Sequence, residues 1–202
     1  MKTLLLILLG FVLQTLSFGQ SLFQEHKFSD GITIKIPTNW KIIDSSATQQ
    51  FDTNTEAKTG NAQGDNKILL AANLYMKESA PSATARLSVR KKPTATEQDF
   101  EAIPDSELQA AVEKKRDAVE RSLRPLGYSV SKYSERREKL AGHSVLTTSY
   151  ISAKDGRNVA NILSILFLGD RIVKLHVTYD EATENITKAT IDRIRSSLIV
   201  SK

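Results

Sequence analysis

The three histidines are the residues best suited to acid-base or metal chemistry near neutral pH, because imidazole titrates there and coordinates metal ions. They are His26, His143 and His176. Their separation excludes the helical motif of zinc hydrolases, in which two histidines stand four residues apart. A metal or catalytic site is therefore expected only if folding brings these side chains together. His176 alternates with Leu175 and Val177, which predicts a position on the solvent-facing or helix-covered side of a strand.

Nucleophilic catalysis finds no support in the other residue types. The chain contains no cysteine, which excludes thiol catalysis, disulfides and cysteine-ligated zinc or iron–sulfur sites. Residues 142–144, Gly-His-Ser, lack the glycine-flanked serine turn of hydrolases. We therefore expect no catalytic residue, and the protein is predicted not to be an enzyme.

A polar segment over residues 44–66 contains two patterns that resemble ligand loops but depart from them. Residues 60–67 include two glycines and a lysine, yet the spacing is not that of a phosphate-binding loop and no strand precedes it. Residues 52–56 begin like a calcium loop, but Ala57 and Gln63 occupy the positions that need glycine and glutamate. We predict no cofactor, and a weak cation site stays open as an alternative.

The basic residues offer a binding surface, since the chain carries a net charge of +5. Two of three basic clusters, at residues 114–116 and 136–139, have acidic residues interleaved or adjacent, as solvated faces do. The third cluster contains no acid and supplies the predicted partner-binding residues Arg86, Arg90, Lys91 and Lys92. An envelope protein or an anionic surface such as lipid head groups would be attracted to it. Nucleic acid is not an expected partner, because no aromatic residues accompany the charges.

The first residues of the chain resemble a secretory signal peptide. Lys2 precedes an apolar run over residues 4–13, and Ser17 and Gly19 place small residues before a cleavage point. The run is shorter than the about 20 apolar residues that a membrane-spanning helix needs. We predict a signal peptide over residues 1–19 and export to the periplasm or the exterior, with no transmembrane segment after cleavage. An uncleaved anchor or a buried first helix is the alternative.

Periodicity along the rest of the chain predicts strands and two long helices. Asp-Gly at residues 155–156 and Gly-Asp at residues 169–170 are typical of hairpin turns. Residues 158–168 are apolar on both parities, which predicts an inner strand covered on both faces. The predicted strands are 32–36, 68–76, 85–89, 128–133, 143–152, 158–168 and 172–179. The predicted helices begin near Asp105 and Ala182, with apolar stripes over residues 108–126 and 182–198 that pack on the sheet.

This order of elements predicts an α+β fold in which an antiparallel sheet is flanked by helices. Pairing between early and late strands would make residues 20–202 a single domain. The segment 44–66, poor in large apolar residues, is predicted to be a mobile loop of that domain.

The opening of the mature chain resembles that of PsbP-like domains. The residues that carry the resemblance are Phe28, Gly31, Ile32, Ile34, Ile36, Pro37 and Trp40. The later order is similar too, with a mid-chain helix, Ala141-Gly142 and Gly169-Asp170 before strands, and a closing helix. The resemblance implies an α/β/α sandwich and a non-catalytic role in binding or stabilising a partner.

We therefore expect an exported, non-catalytic envelope protein that binds or stabilises a protein partner. The alternative is a hydrolase or small-ligand carrier, with a site formed by convergent histidines or by a cleft beside residues 44–66. Two or more histidines within reach of one another, or of a carboxylate in a cleft, would favour the alternative.

Overall fold

The structure, a computed structural model, describes residues 22–44, 66–77, 80–92 and 94–201. The predicted signal peptide lies outside these residues. So does the predicted loop apart from its two ends, together with the calcium-like pattern and most of the phosphate-like pattern within it. Asn66, at the predicted end of the loop, is the first residue of a strand.

Ten strands lie in the described part of the chain, and they form two antiparallel sheets. The small sheet has the order β1-β2-β10, and the large one has the order β3-β4-β5-β9-β8-β7-β6. Their bounds are β1 Phe23–Phe28, β2 Ile32–Pro37, β3 Lys41–Ile42, β4 Asn66–Leu74, β5 Ala83–Lys91, β6 Ser129–Leu140, β7 His143–Lys154, β8 Arg157–Phe167, β9 Arg171–Asp180 and β10 Ile199–Val200.

Four α-helices accompany these strands in the same residues: α1 Glu97–Ala102, α2 Asp105–Ala110, α3 Val112–Leu123 and α4 Glu184–Ser196. None of them is long and apolar enough to cross a membrane. Helix α1 was not predicted, because its six residues are too few to show a helical period. Its start is stabilised locally by a capping box, in which Thr96 and Asp99 bond to each other's backbone N–H groups.

The main hydrophobic core lies between one face of the large sheet, helix α4 and the small sheet. Strand β2 contributes Ile32, Ile34 and Ile36 to this core, and Trp40, which is 5% exposed, belongs to it as well. Strand β2 also pairs with β10 at the end of the chain. The two ends of the described chain therefore share one core.

The opposite face of the large sheet is covered over β6, β7 and β8 by helices α1 to α3. A second, smaller cluster forms there from Phe100, Leu108 and Leu146, with Ile165 and Phe167 of β8 packed against it. Helices on both faces of an antiparallel sheet make an α/β/α sandwich, so the predicted fold class is confirmed. Strand β8 contacts apolar groups on both faces, as its pattern predicted.

The predicted helical stripes are only partly right. The mid-chain helix is interrupted at Ala111, and every residue of α3 is half-buried or exposed. In α4 the predicted stripe is wrong at Ile186, which is 66% exposed, and right at Ile194, which is fully buried. Ile191, outside that stripe, is fully buried as well. Helix α4 is rotated from the predicted phase because Thr187 and Arg195, both polar, also face the sheet.

Both hairpin predictions are confirmed. Asp155 and Gly156 adopt φ values of +50° and +76°, and Gly169 adopts +83°, which is the left-handed backbone that tight turns need. Strand β6 is longer than predicted. It continues to Leu140 through charged residues, which lack the apolar alternation that identifies a strand in the sequence. It lies at the edge of the large sheet, where charges discourage pairing with another chain.

Candidate functional site

The four predicted partner-binding residues do not share one face of the sheet, because side chains alternate between the two faces along a strand. Arg86 and Arg90 project from β5 on the face opposite the main core, since Leu87 and Val89 between them are buried in that core. Lys91 points to the other face, where its Nζ lies 2.5 Å from Asp30 Oδ1. Lys92 follows the strand and is exposed. The four residues therefore do not form one patch, and their role in binding stays a prediction.

Strand β9 brings two further basic residues beside Arg86 and Arg90. His176 pairs in register with Arg86, and Lys174 pairs with Ser88. Both lie opposite the core-facing residues of β9, so they share the face of the two arginines. We call Arg86, Arg90, Lys174 and His176 the basic face. The position of His176 agrees with its prediction from strand parity, whereas its pairing across to β5 was not predicted.

Two cations of the basic face, Arg90 and Lys174, are poorly neutralised within the described residues. Burial lowers the pKa of Lys174, and the neighbouring Arg90 charge lowers it further. Burial also lowers the pKa of His176 to about 4, with a smaller contribution from Arg86. Among the described residues, no carboxylate pairs with Arg90 or Lys174, and Arg90 Nε and His176 Nε2 are buried without a hydrogen-bond partner.

Other basic clusters in the chain are neutralised by neighbours. Lys115 on α3 lies 2.6 Å from the buried Glu135, and Arg116 lies 3.1 Å from Asp117. In β6, Lys139 lies 2.7 Å from Glu101 of α1. These ion pairs support the interpretation of clusters 114–116 and 136–139 as ordinary paired faces.

The three histidines lie on separate elements and do not converge. His26 is on β1 opposite Ile34, His176 is within β9, and His143 begins β7. Among the residues that the structure describes, His143 is the only histidine that contacts a carboxylate, that of Glu97 in α1. The fold therefore builds no histidine cluster, and the described residues contain no group of three ligands suited to a metal ion.

His143 lines a cleft of about 470 Å³ together with Glu97, Phe167 and Arg171. Its Nδ1 lies 3.0 Å from Glu97 Oε2, and its Nε2 lies 3.2 Å from the Val200 carbonyl oxygen. Since a carbonyl only accepts hydrogen bonds, Nε2 donates there. Both ring nitrogens have hydrogen-bond partners, so the imidazole connects α1, β7 and β10 and is not free to act as a base on a substrate. We call this connection of three elements through His143 the clasp.

Substitution of His143 tests this clasp. His143→Phe should lower the free energy of unfolding by about 2 kcal/mol, because a charge-assisted hydrogen bond and the bond to Val200 are lost together. Urea denaturation measures the change. Gln98→Ala, an exposed residue on the same cleft, is the control and should change stability by less than about 0.5 kcal/mol. Equal effects of the two substitutions would contradict the clasp.

A polar network joins helix α4 to the large sheet. The Arg195 guanidinium donates to Glu138 Oε1 of β6 and to Ser164 Oγ of β8, the latter at 3.1 Å. Thr147 of β7 donates to the same Glu138 oxygen at 2.6 Å. Burial alone would raise the pKa of Glu138, but the Thr147 hydrogen bond and the Arg195 charge outweigh it and lower that pKa. The network fixes the rotation of α4 about its own axis, which differs from the rotation that its apolar stripe predicted.

Comparison with known proteins identifies the class of this fold. No family model and no curated protein matches the chain. The solution structure of cyanobacterial PsbP from Synechocystis is similar, with a TM-score of 0.57 and 12% identity over 92% of this chain and 96% of that one. The chain therefore has the PsbP-like fold, which confirms the fold expected from the resemblance.

Two other solved structures are similar at lower scores. LpqN, involved in cell envelope biogenesis of Mycobacterium tuberculosis, has a TM-score of 0.48 and 12% identity over 95% of this chain and 97% of that one. The Ran-binding protein Mog1p of Saccharomyces cerevisiae has a TM-score of 0.48 and 10% identity over 90% and 96%.

Proposed function

We propose that this chain is an exported, non-catalytic protein that binds a protein partner at the cell envelope through its basic face. The observation that carries the proposal is the pair Arg90 and Lys174. These two half-buried cations have no carboxylate partner among the described residues, and they lie on neighbouring strands. The signal-like residues 1–19 support export.

The energetics of the basic face favour an acidic partner surface. Removing a charge from water costs free energy, and a like charge nearby adds to the cost. An acidic partner that docks there supplies the missing counter-charge, and the same field attracts it during diffusional encounter. Rigid strands present the cations, so little conformational entropy is lost on binding.

Co-purification from the native host tests the proposal. The tagged protein is compared with the double variant Arg90→Ser/Lys174→Ser, and partners are identified by mass spectrometry. We expect recovery of the partner to fall by about tenfold or more, because the unpaired charges are lost. The salt dependence of recovery should weaken in parallel.

The matched control is Lys114→Ser/Arg121→Ser, which also removes one lysine and one arginine charge, from exposed positions of α3. Its recovery should stay within about twofold of the unmodified protein. Equal losses in the two double variants would indicate a net-charge effect and contradict a specific basic face. Unchanged recovery in both would contradict the proposed surface.

A further inference from the structure

Ser88 occupies the middle of the basic face. It lies between Arg86 and Arg90 on β5, two residues from each, and pairs in register with Lys174 on β9. Residues two apart on a strand point to the same face, and paired residues across strands have Cβ atoms about 5 Å apart. Three cationic side chains therefore surround one hydroxyl group.

The groups around Ser88 include buried polar atoms that lack hydrogen-bond partners among the described residues. Within the described part of the chain, Arg90 Nε is buried without a hydrogen-bond partner, as is Nε2 of His176 beside Lys174. Neither Lys174 nor Arg90 forms an ion pair within the described residues. Half-buried Leu163 and Ile172 pair with His176 and Arg90, and they form apolar neighbours of the charged groups. Without a ligand, these unpaired charged and polar groups raise the free energy of the folded protein. A compact anion bound among them would lower it.

The number and arrangement of the donors favour a tetrahedral anion. A carboxylate has two oxygens in one plane, which suit a single arginine fork. Phosphate presents oxygens in several directions, so it can accept from a guanidinium, an ammonium and a hydroxyl at once. We infer that Ser88, Arg90 and Lys174 form a binding site for a phosphate group, with Arg86 and His176 at its edge. The site shares Arg90 and Lys174 with the proposed partner surface, so phosphate and the partner would compete. The inference does not rest on the proposed function, because it concerns a small ligand of the purified chain.

Calorimetric titration with inorganic phosphate at constant ionic strength in chloride buffer tests the site directly. We expect saturable binding to one site per chain. Arg90→Met and Lys174→Met should each weaken the affinity by about tenfold or more, and Ser88→Ala by a smaller factor. Lys114→Met, at an exposed position of α3, is the control and should leave the affinity within about twofold. Absence of saturable binding, or equal weakening by the control, would overturn the inference.

Thermal unfolding separates a ligand role from a merely structural one. In chloride buffer Lys174→Met should raise the unfolding midpoint, because it removes a half-buried charge beside the like charge of Arg90 and keeps the length of the side chain. Phosphate should raise the midpoint of the unmodified protein and not that of the variant. A variant that unfolds earlier in both buffers would show that Lys174 is structural and would overturn the site.

Vesicles distinguish the two sources of a phosphate group. Cosedimentation with phosphatidylglycerol vesicles that inorganic phosphate competes away would identify a lipid head group as the source. Binding of inorganic phosphate without vesicle binding would identify free phosphate. Vesicle binding that neither phosphate nor Lys174→Met reduces would contradict the site.

Discussion

Arg195→Met should lower the free energy of unfolding by about 3 kcal/mol, because it leaves the Glu138 carboxylate without its counter-charge at the interface of α4 and the sheet. The Arg195 side chain is 10% exposed and that of Glu138 is 24% exposed, so water screens the pair weakly. The hydroxyl of Ser164 also loses its donor. Denaturation with urea, monitored by circular dichroism, measures the change.

A second substitution distinguishes an ion pair from simple packing. The double variant Glu138→Leu/Arg195→Met should recover stability to within about 1 kcal/mol of the unmodified protein, since no uncompensated charge remains. Arg193→Met, an exposed arginine on the same helix that stacks on Phe23, is the control and should cost less than about 1 kcal/mol. A double variant as unstable as Arg195→Met would contradict the charge argument.

Acidification should destabilise the protein through His176 before it affects the carboxylates. Burial lowers the pKa of His176 from 6.5 to about 4, so the folded state binds fewer protons than the unfolded chain in that interval. Stability is therefore lost as the pH falls from about 6.5 to about 4, by about 2 to 3 kcal/mol. Chemical denaturation at several pH values, in buffers without phosphate, measures the slope.

His176→Gln should remove most of this slope, because an amide does not titrate. Carboxylates with lowered pKa values, such as Glu138, lose their contribution as the pH falls from their ordinary pKa toward the lowered one. His26→Gln is the control. Burial lowers the pKa of His26 as well, but no large shift arises there, so the variant should retain most of the slope. A His176→Gln variant with an unaltered slope would show that His176 is not the titrating group.

The fold was predictable where local chemistry alone decides the structure. Hairpin dipeptides at 155–156 and 169–170, and the alternation of Ile32, Ile34 and Ile36, depend on neighbours in sequence, and these predictions are confirmed. The helix α4 stripe was less predictable. When apolar residues lie on more than one side of a helix, its contacts with other elements decide which side faces the core. In α4 these contacts include the hydrogen bonds of Arg195 to β6 and β8.

At the candidate site too, the sequence alone did not predict which residues of the basic face lie together. Arg90 and Lys91 are adjacent in sequence and so point to opposite faces of β5. Lys174 and His176 come more than eighty residues later and reach the same face as Arg86 only because β9 pairs with β5. No periodicity in the sequence specifies which of several strands become neighbours.

By itself the sequence determined seven of the ten described strands, the hairpins, the α+β class and the absence of cysteine chemistry, because each depends on residue types and short-range spacing. Tertiary structure decided which charges lie together. Strand order and helix rotation are set by packing across the whole core, and these placed Arg90 beside Lys174, Lys91 beside Asp30 and His143 beside Glu97.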